Sequence, residues 1–122
     1  MIDNVKILVV DDDTLIRNLT VTALTYCVNR EVLSFGNGRL AWEYIKEGGE
    51  VDIVISDVDM PDMNGFELMD KVRQKDPDKI FIIMSGVSDN EEKSRYEGAD
   101  AFLAKPFEIS DLFGIVQCFV VD

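Results

Sequence analysis

The chain has 122 residues, of which 24 are acidic and 12 are basic, and its formal net charge at pH 7 is −12. Nucleic-acid phosphates bind to cationic surfaces, so this charge argues against direct nucleic-acid binding. The sequence contains no histidine, which excludes Ser-His-Asp and Cys-His nucleophile pairs and histidine zinc sites. Carboxylates, hydroxyls and lysines must therefore carry any chemistry.

The length and composition indicate a single folded domain over residues 1–122. With 47% hydrophobic residues and three prolines, the chain can bury a core without disulfides. No apolar run reaches the roughly 18 residues of a membrane span, and we expect a cytoplasmic protein that does not bind membranes. Cys27 and Cys118 lack metal-ligand spacing, and we interpret both as reduced core thiols.

Short apolar runs alternate with amphipathic stretches along the chain. The runs are rich in Val, Ile and Phe, and several are apolar throughout, which is typical of parallel strands covered on both faces. They predict strands at Lys6–Val10, Val32–Phe35, Ile53–Ser56, Ile80–Met84 and Ala101–Ala104.

A predicted helix comes after each predicted strand. In chain order these helices cover Thr14–Val28, residues 37 or 38 to 48, Gly65–Lys75, a charged stretch that begins at residues 88–91, and Ser110–Val120. Leu15, Leu19 and Ala23 recur at helical spacing in the first helix, and Ser88 with Glu91 has the S-x-x-E form of a capping box. Five successive β-α units predict a doubly wound α/β domain.

Polar residues stand directly after four of the predicted strands. Asp11-Asp12-Asp13 come after the first strand, Asp57 after the third, Ser85 after the fourth and Lys105 after the fifth. In a doubly wound sheet the ligand crevice lies at the carboxyl ends of the strands. The strand order 2-1-3-4-5 would bring these groups to one edge and leave the second strand outside.

This set of side chains suits phosphoryl chemistry. Neighbouring carboxylates repel one another, and a hard divalent cation such as Mg2+ relieves the repulsion while keeping positions for phosphate oxygens. A deprotonated Asp57 beside the metal could attack phosphorus and form an aspartyl phosphate. The ammonium of Lys105 and the hydroxyl of Ser85 could then neutralise and bind the phosphoryl oxygens.

Four motifs in order resemble the signatures of a response-regulator receiver domain: ILVVDDDTLIR, IVISDVDMPDMNGFEL, IIMSG and AFLAKPF. The resemblance covers essentially the whole chain. It implies a flavodoxin-like (βα)5 sandwich in two-component signalling, as in chemotaxis receivers. Such a domain catalyses only its own phosphorylation and dephosphorylation, so we expect no enzyme acting on other substrates.

The resemblance also implies roles for the acidic residues. Asp57 would be the phosphorylated residue. Asp12 would bind Mg2+ directly and Asp11 through a water, while Asp57 contributes its carboxylate and Asp59 its backbone carbonyl. Mn2+ would be an alternative to Mg2+.

At the other strand ends, the resemblance implies a conformational switch. Ser85 and Lys105 would stabilise the phosphoryl group, and Phe102 would swing inward when Ser85 moves. The Lys105–Pro106 peptide bond would be cis, so that Pro106 is a cis-proline. Val87 is apolar and Asp59 is acidic at the two positions that tune dephosphorylation in the family, and we expect a phosphoryl lifetime of minutes or more.

The resemblance further implies partners. The phosphodonor would be a histidine kinase or a histidine phosphotransfer protein. A downstream protein or a second copy of the chain would bind to the fourth helix, fifth strand and fifth helix, where Ile109, Ile115 and Val121 are apolar residues off the core stripe. The sequence does not decide between a stand-alone receiver and one cut from a longer regulator.

Three other interpretations compete with this one. Haloacid-dehalogenase-type phosphatases also begin with a strand followed by a D-x-D motif, as in Asp57-Val58-Asp59. This chain lacks room for their cap and later acidic motif. A calcium loop over the same residues would need a glutamate where Leu68 stands. The stretch FGNGRLA fits a dinucleotide-binding G-x-G-x-x-A pattern, but it comes after the second strand instead of the first.

Overall fold

The computed structural model describes residues 5–28 and 31–120, and for residues 27 and 28 it describes the backbone alone. Five strands, β1 to β5, comprise Lys6–Val10, Glu31–Phe35, Ile53–Asp57, Ile80–Ser85 and Ala101–Ala104. Five helices, α1 to α5, comprise Thr14–Val28, Gly38–Lys46, Gly65–Lys75, Asp89–Glu97 and Ile109–Gln117. Strands and helices alternate throughout, as the sequence predicts.

The strands form one parallel sheet in the order β2-β1-β3-β4-β5. The predicted doubly wound fold and its strand order are therefore confirmed. This order places the ends of β1, β3, β4 and β5 side by side, with β2 at the outer edge. Among the described residues, no helix combines the length and the apolar composition that crossing a bilayer requires.

Helices cover both faces of the sheet because successive strand residues point to opposite sides. Ile7, Val9, Ile53 and Ile55 pack with α1 and α5 in one core cluster, which we call the α1-α5 face. The intervening residues of the same strands pack with α2 and α3 in a second cluster, which we call the α2-α3 face. Burial on both faces explains why the central strands are apolar throughout.

The two central strands each extend one residue beyond their predicted ends. β3 includes Asp57 and β4 includes Ser85. Asp57 lies opposite Met84 in the register of the two strands, and Val58 N donates to the Met84 carbonyl at 3.1 Å. The backbone of Asp57 is thus part of the sheet and not of a loop.

The first helix buries a different face from the one that its leucines suggest. Of Leu15, Leu19 and Ala23, only Ala23 is buried, and Thr20 and Leu24 of the same helix are buried as well. Leu15 and Leu19 are 79% and 56% exposed. Helical spacing identifies an apolar stripe, but packing against β1 and α5 decides which stripe is covered.

The predicted capping box at Ser88 is wrong. Ser88 has helical backbone angles and its side chain makes no capping hydrogen bond. A capping box does occur at α3, where Asn64 Oδ1 accepts from Glu67 N and Glu67 Oε1 accepts from Asn64 N. A capping residue has extended backbone angles, whereas Ser88 has φ −61° and ψ −33°.

Two smaller expectations also change. Cys118 is exposed and is therefore not a core thiol, because the core side of this segment is occupied by Val116 and Val120; the side chain of Cys27 lies outside the described residues. Ile115 packs partly buried against the core, so it is not a free surface residue, whereas Ile109 is exposed. Val121 lies outside the described residues.

Candidate functional site

The buried carboxylate of Asp57 lies at the carboxyl end of β3. The residue is 8% exposed. Its Oδ1 accepts a hydrogen bond from Val58 N at 2.9 Å, which leaves Oδ2 directed toward the neighbouring strand ends. A central strand with both faces covered therefore holds this one carboxylate in a defined place.

The acidic segment after β1 supplies two further carboxylates with different surroundings. Asp11 is fully buried, and its Oδ1 accepts from Asp13 N at 2.9 Å. Asp12 is exposed. Asp13 Oδ1 accepts from Leu15 N and Ile16 N at 3.0 and 3.2 Å, so Asp13 caps α1 and its carboxylate is occupied there.

Lys105 connects the two buried carboxylates. Its Nζ donates to Asp11 Oδ2 at 2.9 Å and lies 3.4 Å from Asp57 Oδ2. Burial by itself lowers the pKa of Lys105, but the hydrogen bond to Asp11 and the charges of Asp57 and Asp11 outweigh it, and the net pKa is raised. Lys105 is therefore a permanent cation in this site. The next peptide bond, Lys105–Pro106, is cis.

For Asp57, in contrast to Lys105, the effect of burial on the pKa prevails over that of the opposite charge. Burial raises the pKa of Asp57, the positive charge of Lys105 lowers it, and the negative charge of Asp11 raises it again. The net shift of the pKa is upward, so ionisation of Asp57 is less favourable here than in water. A further cation close to Asp57 would reverse that penalty.

Three carboxylates are placed to hold such a cation. One oxygen from each of Asp11, Asp12 and Asp57 lies within 4.8 Å of the other two. Carboxylate oxygens are the ligands that Mg2+ prefers, and Mg2+ keeps coordination positions for waters and phosphate oxygens. The acidic residues therefore fit a divalent metal, whose charge would favour the ionised form of Asp57.

Asp59 lies apart from this group of carboxylates. Its side chain is exposed and does not join the three carboxylates within the described residues. Only its backbone carbonyl can serve the role that the resemblance implies for it.

The structure does not bring Ser85 into the same polar group. Asp11, Asp57 and Lys105 continue strand positions of the α1-α5 face, whereas Ser85 continues Phe81 and Ile83 of the α2-α3 face. Ser85 Oγ accepts hydrogen bonds from Val87 N at 3.0 Å and from Asn90 Nδ2 at 2.9 Å. Within the described residues it makes no hydrogen bond to the side chains of Asp11, Asp57 or Lys105.

Phe102 lies on the same side as Ser85. It packs partly buried against the α2-α3 cluster and lines a cavity of about 230 Å3 between α4 and β5, together with Ser94 and Ala99. The Phe102 ring therefore has empty space beside it. This space lies next to α4, the helix whose Asn90 side chain bonds to Ser85.

The sequence motifs contain two supporting residues, Gly65 and Arg17, to which the resemblance assigns no role. An added Cβ at Gly65 would overlap the Asp57 carbonyl oxygen, so only glycine lets α3 begin against the end of β3. Arg17 Nη1 donates to the Asp11 carbonyl oxygen at 2.8 Å and braces the acidic segment. The position of Gly65, directly after the α3 cap, is the sequence signal that could have identified it; Arg17 has no comparable signal.

An apolar groove of about 370 Å3 adjoins the site between α1 and the segment after β5. It is lined by Ile16, Leu19, Lys105, Pro106 and Phe107. Leu15, Leu19 and Tyr26 are exposed apolar or aromatic side chains of α1. Lys105 thus lines this groove while its Nζ bonds to the carboxylates.

Comparison with known proteins agrees with this geometry. Residues 7–117 match the family model described as the response regulator receiver domain. The chain is 32% identical over 106 residues to a chemotaxis protein CheY homologue of Campylobacter jejuni, covering 84% of this chain and 82% of that protein. The crystal structure of the chemotaxis response regulator CheY4 of Vibrio cholerae superposes with a TM-score of 0.83 at 29% identity, covering 93% of this chain and 97% of that one.

Longer relatives match over one part of their length. The DNA-binding transcriptional regulator NtrC of Azospirillum brasilense is 35% identical over 113 residues, which is 91% of this chain but 23% of the regulator. The chain thus spans about a quarter of the length of these regulators. With the family model, the fold and the site in agreement, this chain belongs to the response regulator receiver domain family.

Proposed function

We propose that the chain is a phosphorylation switch in the cytoplasm. Asp57 accepts a phosphoryl group from a phosphohistidine on a histidine kinase or a histidine phosphotransfer protein, and the phosphorylated form changes conformation to control an output. The observation that carries the proposal is the buried carboxylate of Asp57, 3.4 Å from the Lys105 ammonium and grouped with Asp11 and Asp12. These 122 residues contain no histidine, so the phosphohistidine lies outside them.

Asp11, Asp12 and Asp57 would hold Mg2+, with the Asp59 carbonyl as a further ligand and Mn2+ as an alternative ion. Bound there, the ion neutralises negative charge on the transferring phosphoryl group. The chain's own contribution is to hold Asp57 immobile, since the sheet and Val58 N fix its orientation.

Transfer then needs one bond to form and one to break. A carboxylate oxygen of Asp57 attacks phosphorus, the P–N bond to the donor imidazole breaks, and the imidazole leaves with the electron pair. The Lys105 ammonium neutralises the phosphoryl group, and the Ser85 hydroxyl donates to one of its oxygens. The chain catalyses only this reaction and the hydrolysis that reverses its effect.

The output surface would be α4, β5 and α5. Movement of Ser85 and Phe102 would reach this surface directly, because Phe102 lines the cavity beneath α4. Ile109 and Tyr96 are large exposed side chains on α5 and α4 and could contact a downstream protein or a second copy. The partner would be a protein and not a nucleic acid, given the net charge of −12.

The direct test is incubation of the purified chain with a small phosphodonor, acetyl phosphate, with Mg2+ or with a chelator. We expect an acid-labile phosphoryl group only when Mg2+ is present, and its persistence for minutes after the donor is removed. No label under either condition would reject the receiver function. Repeated turnover of phosphate esters would instead favour a haloacid-dehalogenase-type phosphatase.

The groove between α1 and the segment after β5 is where the phosphohistidine protein would dock. It adjoins Lys105, so a donor seated there can present its phosphoryl group to Asp57. The exposed apolar stripe of α1, with Leu15, Leu19 and Tyr26, gives such a partner a surface to bury. A small donor such as acetyl phosphate needs none of this surface.

Leu19→Asp should therefore slow transfer from a phosphohistidine protein by about tenfold or more, since burial of a leucine contributes about 1.5–3 kcal/mol. Labelling by acetyl phosphate should stay at the wild-type rate. Leu40→Asp is the matched control, because Leu40 is a similarly exposed leucine on α2. Equal loss with both donors would mean that the substitution damages the site itself and would contradict docking at α1.

A further inference from the structure

Ser85 is held on the α4 side of the sheet by two hydrogen bonds. The residue is 2% exposed. Val87 N and Asn90 Nδ2 donate to its Oγ at 3.0 and 2.9 Å. A hydroxyl oxygen has two acceptor lone pairs and one proton, so both acceptor positions are occupied and the proton remains for another partner.

The two donors differ in how they are connected to the fold. Val87 lies two residues after Ser85, so its backbone N–H accompanies any movement of that segment. Asn90 belongs to the first turn of α4, and its carbonyl oxygen accepts from the buried Ser94 Oγ at 2.6 Å. The Asn90 amide is therefore the side-chain hydrogen bond that ties Ser85 to α4.

α4 itself has little apolar anchoring. Of its nine residues, only Ser94 is buried. The contact of Lys93 Nζ with the Phe66 ring, at 4.7 Å from the centroid, places the helix above the α2-α3 face. The other polar contacts of α4 include the Arg73 Nη1 bond to the Gly98 carbonyl at its C-terminal end. The Asn90 bond to Ser85 is therefore the anchor at its N-terminal end.

We infer, on the basis of the function proposed above, that Asn90 is a positioning residue that restrains Ser85 in the unphosphorylated state. It thereby sets the free energy that the conformational switch requires. Ser85 starts on the opposite side of the sheet from Asp57 and Lys105. To donate to a phosphoryl oxygen on Asp57, its hydroxyl has to leave the Asn90 amide. The same step frees the first turn of α4, which couples the site to the output surface.

The inference predicts that removing the Asn90 amide favours the phosphoryl-bound form. Beryllofluoride with Mg2+, a tetrahedral analogue of the phosphoryl group, can be titrated into the full chain and its binding followed by 19F NMR. Asn90→Ala should lower the midpoint by about fivefold, the factor that corresponds to a net hydrogen-bond contribution of about 1 kcal/mol. Ser88→Ala, an exposed serine that makes no cap bond, should leave the midpoint unchanged.

A double-mutant comparison separates this role from a general effect on folding. With Ser85→Ala present, Asn90→Ala should no longer change the midpoint, because the restrained hydroxyl is gone. Asn90→Leu, which keeps the size of the side chain without its donor, should behave like Asn90→Ala and replaces it if the alanine variant unfolds.

An unchanged or raised midpoint in both Asn90 variants would overturn the inference. So would a fivefold decrease that persists with Ser85→Ala. These results are distinguishable from failure of the proposed function itself, which would appear as a wild-type chain that neither binds beryllofluoride nor is labelled by acetyl phosphate.

Discussion

Replacing Asp57 by asparagine is expected to abolish acid-labile phosphorylation and to stabilise the metal-free protein at neutral pH. The first effect arises because an amide is not a nucleophile toward phosphorus at this position. The second arises from the raised pKa of Asp57. Burial and the charge of Asp11 raise this pKa, and the charge of Lys105 lowers it by a smaller amount. A residue that is needed for function would thus lower the stability of the fold.

The direction of the stability change depends on pH. An acid whose folded pKa lies above its unfolded value binds more protons in the folded state, so its contribution to stability falls as pH rises. At pH 7 the ionised Asp57 carries that penalty, and Asp57→Asn should raise the free energy of unfolding by about 0.5–2 kcal/mol, the usual size of a stabilising substitution. This gain in the free energy of unfolding should shrink as the pH falls toward 3.8, the ordinary pKa of an aspartic acid.

The measurement is chemical denaturation with a chelator present, at several pH values, together with labelling by acetyl phosphate. Asp62→Asn is a suitable control, because Asp62 is an exposed turn residue with φ 69°, a conformation that asparagine also adopts. Mg2+ should stabilise the wild type more than Asp57→Asn. A variant that still carries acid-labile phosphate would contradict Asp57 as the acceptor.

Replacing Lys105 by methionine is expected to have a large effect in the opposite direction. Methionine keeps the length of the side chain but leaves Asp11 and Asp57, both buried, without their shared cation. Removal of one partner from a buried ion pair leaves an uncompensated charge. We expect a loss of about 2–4 kcal/mol in the free energy of unfolding of the metal-free protein at pH 7.

The pH dependence of this loss is fixed by the raised pKa of Lys105. A base whose folded pKa lies above its unfolded value stabilises the fold below the unfolded pKa, and this contribution is lost as pH rises through the folded pKa. From neutral pH upward, the difference between Lys105→Met and wild type should therefore persist through pH 9 and shrink above pH 10.5, the ordinary pKa of a lysine.

Mg2+ should restore part of the lost stability, because a cation beside Asp11 and Asp57 replaces the missing charge. Lys6→Met provides the control: Lys6 pairs with Glu50 at 2.9 Å on the surface, where an ion pair contributes little. Equal loss in the two variants would show that Lys105 is an ordinary surface lysine and not the counter-ion of the site.

The fold and the positions of the acidic groups are predictable from local sequence. Buried parallel strands are apolar along their whole length, so each strand is recognisable by itself, and the residue after each strand lies at the carboxyl edge of the sheet. For this reason the sequence is enough to group Asp11, Asp57 and Lys105. Asp13 as the cap of α1 is an equally local feature, since a cap bonds to its own first turn.

Packing, in contrast, decides which way several side chains face. The spacing of Leu15 and Leu19 marks an apolar stripe, but only the tertiary structure shows that Thr20, Ala23 and Leu24 are covered and that the leucines are left exposed. Ser85 ends a strand just as Asp57 does, yet its hydroxyl bonds to Asn90 on the other side of the sheet. Such contacts join residues that lie on separate elements or far apart along the chain. They leave no periodic trace in the sequence, because a local pattern records only the neighbours within one element.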